Sequence, residues 1–219
     1  MCTAKHTGTS ASAPIAAAII ALALEARPDL TWRDMQHILV HTSQKHQLNA
    51  PDWKKNAMGR WFSGRYGYGL MDAGAIVSLA ETWRLVSPQL LCEQSVIMNS
   101  NPVDKLRRPA EVGNELIVRF IYDGCSKEIT KIEHVTVVLT LTPNGKRGEL
   151  EMRLRSPMGT ESTILGTRSH DYSSAGFNAY EFLTVEMWDE DPNGEWQLII
   201  KNTNSKRGTV ENANINQNN

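Results

Sequence analysis

Between Ala13 and Leu24 the chain runs APIAAAIIALAL, twelve residues without one charged or hydrogen-bonding side chain. Alanine and leucine favour helix, and Pro14 suits an opening turn, where its missing N–H costs nothing. The run therefore predicts a helix that continues to about Glu25 and stops at Arg27-Pro28-Asp29. Such a helix is apolar on nearly every face, not along one stripe, so it must lie inside a large core. The apolar run is about half the length that crosses a bilayer, so no membrane segment is expected. No basic-then-apolar leader with a small-residue cleavage site precedes it, so no targeting signal is expected either.

What else in the chain could build that core? Thr31-Trp32-Arg33-Asp34 has the form of a capping box, and Met35, Ile38 and Leu39 share one face, which predicts a second helix ending near Ser43. Residues 44 to 64 lose periodicity and read as a surface loop. Tyr66-Gly67-Tyr68-Gly69-Leu70-Met71-Asp72-Ala73 then leads into a third helix, with Asp72 as N-cap and an end near Trp83. These helices are too few to surround the first, so the layer that covers it, a sheet, is expected from sequence outside these residues.

From about Val86 the pattern changes to short strand-like runs: Glu115 to Tyr122, Glu133 to Thr142, Gly148 to Arg155, Ser162 to Gly166 and Glu195 to Lys201. Leu150, Met152 and Leu154 alternate with Glu149, Glu151, Arg153 and Arg155, one buried and one wet sheet face. This half reads as an all-β sandwich over residues 86–210, after a helical part at 1–85. Residues 211–219 are polar and asparagine-rich, and a frayed tail is expected there, with one sheet edge left open.

Charge narrows the function classes. A formal net charge of -1 and widely separated basic pairs give no field for a polyanion, so nucleic-acid binding is not expected. Three cysteines, Cys2, Cys92 and Cys125, show no zinc spacing. They leave either one disulfide with an odd thiol or three reduced thiols. Cys92 and Cys125, which flank apparent strands in the same half, are the candidate pair. The acidic run Asp189-Glu190-Asp191 before Pro192-Asn193-Gly194 is expected to be a turn with solvated charges and not a calcium loop. No Asn-x-Ser/Thr acceptor occurs, so N-glycosylation is not expected.

Ser10, with small neighbours at the start of an apolar helix, could be a simple cap or a nucleophile whose oxyanion is met by free backbone N–H groups. The longer string decides. His6-Thr7-Gly8-Thr9-Ser10-Ala11-Ser12-Ala13-Pro14 resembles the serine block of subtilisin-like proteases. Leu30-Thr31-Trp32-Arg33-Asp34-Met35-Gln36-His37 and Tyr66-Gly67-Tyr68-Gly69-Leu70-Met71-Asp72-Ala73-Gly74-Ala75 resemble the sequence downstream of that block in the furin/kexin branch, the proprotein convertases. Ile132-Glu133-His134-Val135, Arg147-Gly148-Glu149-Leu150, Ser156-Pro157-Met158-Gly159-Thr160 and Trp188-Asp189-Glu190-Asp191-Pro192-Asn193-Gly194-Glu195-Trp196 are similar to the P domain of that branch.

The resemblance implies an α/β catalytic-domain remnant, the helical C-terminal part of a subtilisin-like fold, joined to a jelly-roll P domain after it. It implies that Ser10 is the catalytic nucleophile and that its N–H is one oxyanion-hole donor. The implied activity is a serine endopeptidase that cleaves precursor proteins and peptides after paired basic residues, in the secretory pathway, with calcium required. Composition and periodicity carry none of this. Only nine residues precede Ser10, so the triad aspartate and histidine, the oxyanion asparagine, the substrate pockets and the calcium ligands have no place here. His6 sits in the serine block itself, too near in sequence to be the base, and Cys2 stands where the family has a cysteine paired upstream. The chain alone is therefore expected to be inactive, and the alternative reading is a non-catalytic β-sandwich fragment that binds or regulates a partner. Arg147-Gly148-Glu149 stands where relatives often carry Arg-Gly-Asp and is expected to be a plain turn. Ala18 and Ala57 stand where glycine is common, which is costly only if the backbone needs positive φ.

Overall fold

The computed structural model describes residues 5, 7–96, 115–123, 125, 128–143, 145–203 and 209–218. The chain divides into two compact units, one made of residues 1–54 and 60–88, the other of residues 55–59 and 89–219.

The first unit is built on three helices: α1 (Thr9–Ala26), α2 (Trp32–Thr42) and α3 (Ala73–Thr82). The capping box at α2 forms, with the Asp34 N–H on Thr31 Oγ1 and the Thr31 N–H on the Asp34 carboxylate. Asp72 caps α3 by accepting the Ala75 N–H at 3.0 Å. Met35 and Ile38 of α2, Ile76 and Ala80 of α3 and Ala23 of α1 form the core, with Ile19, Ile20 and Leu39 packed against it.

Helix α1 departs from expectation twice. It begins at Thr9, five residues before Pro14, and has 18 residues, long and apolar enough by length and composition to reach the lower limit for crossing a bilayer. Among the described residues it is the one such helix. Pro14 therefore lies inside the helix, and the Ser10 carbonyl loses the N–H that would close its turn. Nor is α1 enclosed: Ala23 alone is fully buried, while Ile15 and Leu22 are more than half exposed, because α3 covers one side of it. The stretch expected as loop holds two short strands, β1 (Lys54–Lys55) and β2 (Trp61–Phe62), too brief to leave a periodic pattern. It is further ordered by Trp53 stacked on Tyr66 and by Lys45 Nζ 3.8 Å above the Trp61 ring.

The second unit contains two four-stranded antiparallel sheets. One has the order β3 (Leu91–Val96), β10 (Thr209–Asn218), β5 (His134–Thr142), β8 (Phe177–Thr184); the other has β4 (Glu115–Tyr122), β9 (Gly194–Asn202), β6 (Leu150–Arg155), β7 (Glu161–Leu165). Val118, Phe120 and Tyr122 from β4 meet Leu150, Met152 and Leu154 from β6 in one core with Val137 and Leu139 from β5. Burial of each large apolar side chain contributes about 1.5–3 kcal/mol. Trp196 stacks on Phe120 and donates its Nε1–H to the Pro192 carbonyl at 2.8 Å.

The stretch expected as a frayed tail is strand β10, paired antiparallel with β3 on one side and β5 on the other. Backbone pairing on both sides holds it there whatever its composition. The acidic run is corrected in part: Asp191 is exposed as expected, but Glu190 is fully buried and Asp189 nearly so, each lying in the unit's interior and not in solvent.

Candidate active site

Gly8 caps α1 with φ 90° and ψ −179°, a region of backbone space that glycine alone enters freely. A Cβ built there meets no atom within 4 Å, so the requirement comes from the dihedrals and not from space. This bend sets Thr9 and Ser10 in the first turn of α1, with the Ala11 N–H closed on the Gly8 carbonyl at 3.0 Å. Ser10 is exposed, and its Oγ has no hydrogen-bond partner among the described residues. Its N–H belongs to the orphaned group at the positive end of the helix, and Gly8, Ala11 and Ala13 crowd it little. A carbonyl carbon at Ser10 Oγ could thus place its developing oxyanion against backbone donors.

Attack also needs a base within about 3 Å of the hydroxyl. In this unit no described side chain fills that role. His37 and His41 lie on α2 beside Trp83 of the same unit. His41 donates Nδ1–H to the His37 carbonyl at 2.6 Å and accepts from Arg60 Nη2 at 2.7 Å, so both ring nitrogens are engaged. His46 is exposed beyond α2. His6 and Cys2 lie outside the described residues.

The fully buried carboxylate of this unit is structural. Asp34 is fully buried and accepts from the Thr31 N–H, from Trp83 Nε1 at 2.9 Å and from the Val86 N–H at 2.7 Å. Burial alone would raise its pKa, but these donors and the Thr31 hydroxyl outweigh it and hold the carboxyl below its ordinary value. Its cap role was readable from spacing; its contacts with Trp83 and Val86, some fifty residues away, were not.

In the sandwich unit, Arg147-Gly148-Glu149 forms a 3₁₀ turn that leads into β6. Arg147 is held at 2.8 Å by Asp171, and a Cβ at Gly148 would sit 2.1 Å from the Arg168 carbonyl. The Arg147 and Arg168 guanidinium groups hold the Asp171 carboxyl down to about 2. The triplet is a structural corner in which Gly148 is buried and Arg147 and Glu149 are half-buried. Cys92 and Cys125 are joined by a disulfide with Cα atoms 5.9 Å apart. Ala18 and Ala57 both avoid positive φ, so neither departure from glycine strains the backbone. Among the described residues no group of three or more His, Cys, Asp or Glu side chains is placed to hold a metal ion.

Residues 1–69 match the subtilase family, and residues 132–216 match the proprotein convertase P-domain. The crystal structure of the serine protease of Aeromonas sobria superposes with a TM-score of 0.79 at 20% identity, over 97% of this chain and 44% of that one, a likeness of fold. The helical unit, with Ser10 in the first turn of α1, thus carries the subtilase match, and the antiparallel sandwich unit carries the P-domain match. The chain is 53% identical to human furin over 205 residues, 92% of this chain and 25% of furin. It is 48% identical to rat proprotein convertase subtilisin/kexin type 4 over 202 residues, 92% of this chain and 29% of the relative. The chain belongs to the furin-like proprotein convertases. It spans roughly a quarter of the length of these relatives.

Proposed function

We propose that Ser10 is the nucleophile of a furin-like endopeptidase, and that its own N–H supplies one oxyanion-hole donor. The observation that carries this is the geometry at Gly8: a glycine-only bend delivers an exposed, unbonded serine hydroxyl to the positive end of an apolar helix. In the reaction the Ser10 hydroxyl adds to the scissile carbonyl, its proton passing to a histidine base that no described side chain supplies and on to the amine, which leaves to give an acyl-enzyme. Water then hydrolyses the ester. The open Ser10 carbonyl opposite Pro14 leaves this first turn less tied to the helix ladder than the turns below it.

The substrates are precursor proteins of the secretory pathway, cut after paired basic residues. The Cys92–Cys125 bridge supports an oxidising compartment. Family resemblance supports calcium dependence, yet the described residues offer no clustered ligand set, and no step is routed through the ion. The exposed faces of α1 are read as surface that the rest of a subtilase fold covers, which favours a core helix over a membrane span.

A chimera tests the assignment: human furin whose matched 205 residues are replaced by those of this chain. It is expected to cleave a dibasic reporter peptide and to take up a fluorophosphonate probe at Ser10. Ser10→Ala should lower turnover about 10⁶-fold, roughly 8 kcal/mol of barrier. The chain alone should take up no probe. Stoichiometric labelling of the chain alone, or undiminished cleavage by the Ser10→Ala chimera, would overturn the assignment.

A further inference from the structure

The sandwich unit is discontinuous in sequence, because residues 55–59 belong to it, and the chemistry that holds them is specific. Asn56 to Gly59 form a tight turn in which the Gly59 N–H donates to the Asn56 carbonyl at 2.9 Å and the Met58 N–H donates to Asn56 Oδ1 at 3.1 Å. Asn56 Nδ2 donates to the carbonyls of Glu186 and Trp188, each at 3.2 Å. The Ala57 N–H is shared between Thr160 Oγ1 at 2.8 Å and Glu190 Oε1 at 3.0 Å. Asn56 is buried although its neighbours Ala57 and Met58 are exposed, so the asparagine side chain is the part that is gripped.

The receiving surface has an unusual centre. Glu190 is fully buried, and among the described residues its carboxylate is met by Ser156 Oγ at 2.5 Å, by the Thr160 hydroxyl and by the Ala57 N–H, with no ion pair. A buried carboxylate is costly unless each oxygen is satisfied, so withdrawing one donor of this set leaves a strong, oriented acceptor facing the turn. The backbone beside Glu190 carries two further bonds, the Ile132 N–H on the Glu190 carbonyl at 3.0 Å and the Asp189 N–H on the Ile132 carbonyl at 2.8 Å, so the Asp189 amide reports on the receiving side. An aspartate at 56 would set a carboxylate against two carbonyls, whereas asparagine supplies the two N–H donors that they need.

We propose that Glu190, Ser156, Thr160 and the carbonyls of residues 186 and 188 form a turn-recognition site, whose ligand is an Asn-x-x-Gly turn supplied in cis by residues 56–59. This role is independent of Ser10 and of any catalytic reading. The sandwich is a binding module with its own peptide seated in it, and its stability depends on a segment that precedes its first strand in sequence.

The test uses the full chain. Asn56→Asp should raise amide exchange at Ala57 and Asp189 by about ten- to hundred-fold, the worth of hydrogen bonds to a charged group. A synthetic peptide spanning Trp53 to Arg60 should restore protection of the Asp189 amide in that variant and leave the natural chain unchanged, while the same peptide with aspartate for asparagine should restore none. As a gentler pair, Thr160→Val should release the Ala57 amide and Thr160→Ser should not. Unchanged exchange in Asn56→Asp, equal action of the two peptides, or equal behaviour of the Val and Ser variants would overturn the proposal.

Discussion

Opening the Cys92–Cys125 bridge gives a magnitude that can be worked from the structure. The bridge closes a span of 33 residues. Chain-entropy bookkeeping for a loop of that length removes about 13 cal/mol/K from the denatured ensemble, about 3.7 kcal/mol at 25 °C. Alanine is the suitable replacement at both sites. Cys92 is buried, where a serine hydroxyl would add a desolvation cost, and Cys125 has φ 52°, where alanine keeps the backbone penalty that cysteine already bears. The double variant Cys92→Ala/Cys125→Ala should therefore lose about 3–4 kcal/mol in the sandwich unit and little in the helical unit. Urea titration combined with amide exchange on β4 and β9 separates the two, since both strands lie in the sandwich. The thiol count gives an independent check: of three cysteines in the unfolded, unreduced chain, one should titrate. A double variant within about 1 kcal/mol of the natural chain, against the loss expected from loop closure, or three free thiols, would refute the reasoning.

Asp34→Ala strands the Trp83 and Val86 donors and should destabilise the helical unit by about 2–5 kcal/mol in a thermal or urea melt. The Asp34 carboxyl is held below its ordinary value when folded, so its contribution is fully present above about pH 4 and is lost as pH falls through the folded value; Asp34→Asn should flatten that acid limb. Asp171, held to about 2, has the same sign, and exchange at the Arg147 and Gly148 amides should rise between about pH 4 and 2. Trp196→Ala removes a fully buried indole with its hydrogen bond and should cost about 3–5 kcal/mol by urea titration. Gly8→Ala should fray the start of α1 at a cost of about 1–3 kcal/mol, seen as faster exchange of the amides after Ala11, and should slow the furin chimera without touching its substrate pockets.

What was legible in the sequence was local. Thr31 and Asp34 are three residues apart and announce α2 without any partner, and Asp72 does the same for α3. The alternation in Leu150, Met152 and Leu154 announces β6 because a half-buried strand repeats every two residues. Features decided by distant partners were hidden. Strand β10 exists because β3 and β5 offer it two free edges, and no composition rule sees those edges in a run of asparagines. Glu190 looks solvated until Ser156, Thr160 and Ala57 are brought to it from 30 to 133 residues away. Ser10 is singled out as a nucleophile only by the resemblance of a nine-residue string, and chemistry alone leaves it a cap. The glycine that sets its orientation, Gly8, lay in that string unremarked, because its ψ appears only in the folded backbone.

The central place of β10 has a consequence for synthesis. Of the ten described strands it is translated last, yet it is the strand that joins β3 to β5. Until residues 209–218 leave the ribosome, that sheet is two pieces, and β5 and β3 each present a bare edge between them. The other sheet, β4-β9-β6-β7, is complete once Asn202 has emerged. Folding of this unit on a nascent chain is thus ordered, one sheet waiting on its last-made strand while the other is already whole, and a ribosome stalled just short of Thr209 should display a half-built sandwich with one open slot.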